Sequence, residues 1–153
     1  MITTSRGSLR NAQSGVMLLE ALIGILIFSL GILAMVGMQA MSIRLATDSR
    51  ERAEAANLAG QLVGEMWLNR STLASYQYAG SGTAPAALTN WIAQLDAALP
   101  NAATYPPIVN VSPVTWPSVV PAATLGTQTT VTLRWKSPTD TTVHQFVMTA
   151  YIN

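Results

Sequence analysis

Gly15-Val16-Met17-Leu18-Leu19-Glu20 opens an apolar run that continues to Ile43, and the 23 residues from Ala21 to Ile43 carry no charge. At roughly 1.5 Å per residue the uncharged run makes a helix about 35 Å long, enough to cross a bilayer. Glu20 is the exception, at its start. A carboxylate within a membrane span costs on the order of 2.5–3.5 kcal/mol on insertion scales. Such a group normally has a partner and a task.

The residues before this run are polar. Met1 to Gly15 carries Arg6 and Arg10 and no acid, the composition of the basic region that opens an export signal. A cleaved secretory signal has an apolar core of about 7–15 residues. The longer run here reads as a signal anchor, with residues 1–15 as its cytoplasmic tail. Arg6 and Arg10 lie on one side of the run and Arg44, Arg50 and Arg52 on the other, so basic residues alone do not orient it.

Composition sets further bounds. The chain has 153 residues and a formal charge of +1; without residues 1–15 the charge becomes −1. Neither value provides an electrostatic platform for nucleic acid. The absence of cysteine excludes disulfides, thiolate catalysis and cysteine-ligated metals.

Gly15-Val16-Met17-Leu18-Leu19-Glu20 resembles the processing site of type IV prepilins and of type II secretion pseudopilins. In that class a short basic leader ends in glycine, and a prepilin peptidase cuts after it. The new N-terminus is methylated, and a glutamate stands fifth in the mature chain. The resemblance implies a cut at Gly15/Val16, methylation of Val16 and an assembly contact by Glu20. Val16 and Met17 depart from the usual Phe and Thr. Ser29-Leu30-Gly31-Ile32-Leu33-Ala34-Met35-Val36-Gly37-Met38-Gln39-Ala40 is similar to the end of the anchor in minor pilins of the PilV type, the type IV pilus modification proteins. So are Ala55-Ala56-Asn57-Leu58-Ala59 and Glu65-Met66-Trp67-Leu68-Asn69-Arg70. The resemblance implies an α+β pilin fold, a long N-terminal helix on a small antiparallel sheet. It also implies a minor pilin that helps prime pilus assembly, in twitching motility and adhesion. The expected partners are other minor pilins and pilus subunits, the prepilin peptidase and the bacterial inner membrane, with the C-terminal part periplasmic. The alternatives are a type II secretion pseudopilin and a signal-anchored extracytoplasmic enzyme or binding protein.

Four segments follow: a leader at 1–15, the membrane half of the helix at 16–43, its amphipathic half at 44–72 and a globular part at 73–153. Ala53, Ala55, Ala56, Leu58, Ala59, Leu62, Val63 and Met66 recur at helical spacing, a stripe suited to packing on a sheet. Arg50, Glu51, Glu54, Gln61 and Glu65 make the opposite, solvated face. Asp48/Arg52 and Arg50/Glu54 are placed to pair, each worth about 0.2–0.5 kcal/mol. Gly60 and Gly64 read as a close approach to the sheet. Gly31 and Gly37 bracket a segment that can unwind in a fibre. The helix is expected to end near Ser71.

A Ser/Gly/Ala/Tyr-rich connection follows at 72–88, with Tyr76 and Tyr78 packing on the domain. Thr89 is expected to cap a helix at about Asn90–Leu99. Recurring prolines from Pro106 to Pro121 make a loop with at most edge strands, one at Ile108–Val111. Trp116 reads as a core plug. Thr127–Lys136 and Thr141–Ile152 alternate apolar and polar residues across the turn Ser137-Pro138-Thr139-Asp140, predicting an antiparallel hairpin. His144, the single histidine, reads as a surface or sheet residue, able to join Arg134 and Lys136 in a small basic patch. No nucleophile elbow, phosphate loop or metal-ligand spacing is present in the sequence. The chain is expected to be no enzyme and to need no cofactor or metal.

Overall fold

The computed structural model describes residues 10–115 and 124–153; Arg6 and Trp116 lie outside them. Helix α1 spans Arg10–Leu68. A 3-10 turn at Arg70–Tyr76, a second at Ala86–Leu88, α2 at Thr89–Ala98 and a third 3-10 turn at Ala102–Thr104 lead into the sheet. Strands β1 (Ile108–Thr115), β2 (Thr124–Trp135) and β3 (His144–Ile152) pair antiparallel in the order β1-β2-β3. The chain divides into two compact units, one ending at Thr47 and the other running from Asp48 to Asn153.

In the first unit every described side chain is exposed, including Leu18, Ile25, Phe28 and Leu33. A helix apolar on all sides needs an apolar environment. It is the one helix among the described residues long and apolar enough to span a membrane. Ser29 donates its hydroxyl to the Ile25 carbonyl at 2.7 Å, which hides a polar group inside the helix itself. α1 contains no proline and is unbroken across Gly31 and Gly37.

The second unit holds the core. Ala55, Leu58, Ala59, Leu62 and Met66 from α1 are buried against Val109, Val131, Leu133, Trp135 and Ile152 of the sheet and Trp91, Leu95 and Leu99 beyond it. The Trp91 indole donates to the Leu58 carbonyl at 2.9 Å, which fastens α2 to α1. This α+β arrangement, a long N-terminal helix and a three-stranded antiparallel sheet, is consistent with the type IV pilin fold.

Several expectations change. Glu51 is buried, not on the solvated face, while Ala53 is exposed. Gly60 and Gly64 are exposed, and a Cβ on either would meet no atom within 4 Å. They do not approach the sheet. Asp48 and Arg52 pair at 3.0 Å, but Arg50 and Glu54 form no ion pair. α1 ends at Leu68 because the Asn69 side chain turns back to the Glu65 carbonyl and the chain tightens into the 3-10 turn. Thr89 does not cap α2. The preceding 3-10 turn runs directly into the helix, and the Thr89 hydroxyl donates back to the Pro85 carbonyl. Tyr76 and Tyr78 are buried, as expected.

β1 extends to Thr115, through Pro113. The hairpin register sets Val131 opposite Met148, Leu133 opposite Phe146 and Trp135 opposite His144. Arg134 is on the other face and donates to the Pro106 carbonyl, so it forms no basic patch with His144. Gly126 in β2 has φ +146°, and a Cβ there would stand 2.9 Å from the Ile152 carbonyl oxygen. Only glycine fits this close approach.

The two faces of α1 make a paired test. Leu62→Ala is expected to destabilise the second unit by about 2–5 kcal/mol. Gly60→Ala, facing open space in a helix, is expected to stabilise it by roughly 0.4–1 kcal/mol. Chemical denaturation followed by tryptophan fluorescence checks both; equal losses would contradict the assignment of faces.

Candidate functional site

Gly15, Val16 and Glu20 lie on one continuous stretch of α1. Val16 and Glu20 are four residues apart, so they share a helix face. All three are exposed, Val16 to 66%. Glu20 has no hydrogen-bond or ion-pair partner among the described residues. In the intact chain the Val16 nitrogen is a helical amide and carries no charge. The structure places these residues in line and, among the described residues, brings none from elsewhere in the chain to them.

A second polar group lies in the folded unit, and most of it escaped the sequence reading. The Glu51 carboxylate accepts from the Trp135 indole at 2.8 Å and from the Ser137 hydroxyl at 2.5 and 2.6 Å. Two neutral donors thus hold a buried carboxylate and tie α1 to the end of β2. Glu51 continues the buried series of Ala55, Leu58, Leu62 and Met66 one turn earlier, a period that places it inward. His144 stacks on Trp135 with ring centroids 5.7 Å apart. Its Nε2 meets Asp140 at 2.5 Å, while Nδ1 faces Arg52 at 3.4 Å and Asp48 at 3.6 Å. These contacts join α1, the β2–β3 turn and β3. The Ser137 hydroxyl points to Glu51 and not to the imidazole.

Further along α1, the Tyr76 hydroxyl donates to Glu65 at 2.9 Å and accepts from Asn69 at 3.0 Å. Burial, and next the hydrogen bond to Glu65, push the Tyr76 phenol above its ordinary value. A groove of about 490 Å³ runs between Leu73, Ala74 and Gln77 and the β1 residues Asn110, Val111 and Pro113. Its lining carries no titratable side chain. Among the described residues no cluster of histidine, aspartate and glutamate is arranged to hold a metal ion.

Comparisons with models of known protein families, with characterised proteins and with solved structures gave no match.

Two outcomes follow from the folded unit. Glu51→Ala orphans the Trp135 N–H and is expected to cost about 1–3 kcal/mol, read by denaturation and by a changed tryptophan emission. For Tyr76 the folded state holds the proton more tightly than the unfolded one. Its contribution to stability is intact below the ordinary tyrosine range and is lost as pH rises through the raised value. Ultraviolet titration of phenolate, with Tyr76→Phe to identify the signal, should find Tyr76 titrating late and moved back toward normal by Glu65→Gln.

Proposed function

We propose that this chain is an assembly subunit of the type IV pilin class, a minor pilin of the PilV type. The observation that carries the reading is a carboxylate, Glu20, without a partner among the described residues, at the start of an exposed apolar helix whose continuation packs on a small sheet. A glycine leader junction precedes it by one turn. Cutting between Gly15 and Val16 creates an ammonium on the Glu20 face of the helix. In a staggered bundle of such helices, Glu20 of one subunit pairs with the amine of its neighbour. Attraction in a low dielectric offsets the burial cost only when the opposite charge is present. The cut therefore creates the partner and licenses assembly. The prepilin peptidase is the processing enzyme, the inner membrane holds the subunit before assembly, and other minor pilins are the neighbours. The pilin-like architecture and the long apolar helix support this reading.

The proposal predicts that Glu20→Ala inserts into the membrane normally but loses co-purification with other pilus subunits and lowers piliation. Unchanged piliation would contradict it. A deletion strain should lose twitching and keep protein secretion. The reverse phenotype would assign the chain to a secretion pseudopilus.

A further inference from the structure

His144 stands where three elements meet, all within the unit Asp48–Asn153. Trp135 of β2 stacks on its ring, with centroids 5.7 Å apart. Asp140, from the β2–β3 turn, meets Nε2 at 2.5 Å. Arg52 and Asp48, from α1, face Nδ1 at 3.4 and 3.6 Å. Glu51 is one step removed, accepting from the Trp135 N–H. Arg134 is on the other face of the sheet and donates to the Pro106 carbonyl. Among the described residues Arg52 is thus the one cation that reaches the ring, while carboxylates reach it from two elements.

These contacts fix where the ring carries its hydrogens. A guanidinium donates and cannot accept. In the contact with Arg52, Nδ1 is therefore the bare nitrogen. The proton of the neutral ring is then on Nε2, where the Asp140 carboxylate accepts it. Arg52 is held from its other side as well, where its Nε donates to both Asp48 oxygens at 3.2 and 3.0 Å. A second proton on the ring breaks this arrangement. Nδ1 then carries a hydrogen and cannot accept from Arg52. Two cationic groups would face each other at 3.4 Å. The Asp48 carboxylate stands ready to accept instead. Its Oδ1, 3.6 Å from Nδ1, is about 0.7 Å beyond the length of a charge-assisted hydrogen bond.

We propose that His144 is a proton-operated switch that moves Asp48 from one partner to another. With the ring neutral, Asp48 holds Arg52, and Arg52 donates to the ring. With the ring charged, the ring donates to Asp48 from Nδ1 and to Asp140 from Nε2, and the Arg52 guanidinium is released to solvent. The Arg52 side chain is already 52% exposed, so it leaves without disturbing the core. The tie between α1 and the β2–β3 turn persists in both states. What the proton changes is the partner of Asp48 and the freedom of a cation on α1. Histidine is the side chain whose charge ordinarily changes between pH 5 and 8. The switch lies within the folded unit and does not rest on the pilin reading.

The chain has a single histidine, so nuclear magnetic resonance reads its ring nitrogens without ambiguity. The test uses the full-length, nitrogen-labelled chain in detergent micelles, comparing the parent with His144→Gln at about pH 8 and about pH 5. At the higher pH the parent ring should carry its proton on Nε2, and at the lower pH on both nitrogens. Solvent exchange of the Arg52 Nε–H is measured against that of the exposed Arg50 in the same sample, which cancels the intrinsic effect of pH. That ratio should rise about tenfold or more on acidification, the size of one lost hydrogen bond to a charged group. In His144→Gln, whose side-chain oxygen accepts from Arg52 at either pH, the ratio should stay constant. Asp48→Asn, which removes the carboxylate that moves, should leave Arg52 exchanging fast at both. An Nδ1–H ring at the higher pH, a ring still neutral at the lower one, a constant ratio in the parent, or an equal rise in His144→Gln overturns the switch.

Discussion

One helix must satisfy two solvents. Over residues 16–43, α1 is apolar on every face and buries none of its side chains within the chain. From Asp48 onward it is amphipathic, with Ala55, Leu58, Ala59, Leu62 and Met66 turned to the core. Neither half can exchange environments with the other. The first half, left in water, would expose Leu18 through Ile43 with nothing to cover them. The second half, without the sheet, would expose a stripe that anchors eighteen buried apolar residues. The sheet, α2 and the 3-10 turns exist around that second half; Glu20 belongs to the first.

The two carboxylates of interest show how environment decides a role. Glu51 is buried and satisfied by neutral donors on β2 and its following turn. It positions helix against strand, held by two donors from inside the fold. Glu20 is in the opposite condition, exposed and without a partner among the described residues. A satisfied buried carboxylate specifies the fold. An exposed one at the start of an apolar helix is, on the proposed reading, a contact made with a neighbouring subunit.

Much of this was legible in the residues. The apolar run and the 3.6-residue stripe after it defined both halves of α1, and alternation defined the β2–β3 hairpin. Glu51 was missed because its charge outweighed its position, although it continues the buried period. Gly60 and Gly64 were read as a packing motif, yet spacing alone does not say which face of a helix meets the sheet. His144 shares the parity of Phe146 and Met148, so it belongs on the Trp135 face and not beside Arg134. β1 was underestimated because Pro113 read as a stop. Its missing N–H faces away from β2, where a ladder loses nothing. On the proposed reading the partner of Glu20 lies beyond the folding of one chain, because the amine it would pair with arises only when a peptide bond is cut.

That cut is the central claim, and the intact mass of membrane-extracted protein tests it most directly. From a strain with active prepilin peptidase, the account predicts a chain that begins at Val16 and carries one N-methyl group. A chain that retains residues 1–15, or one cut beyond the apolar run, would contradict it.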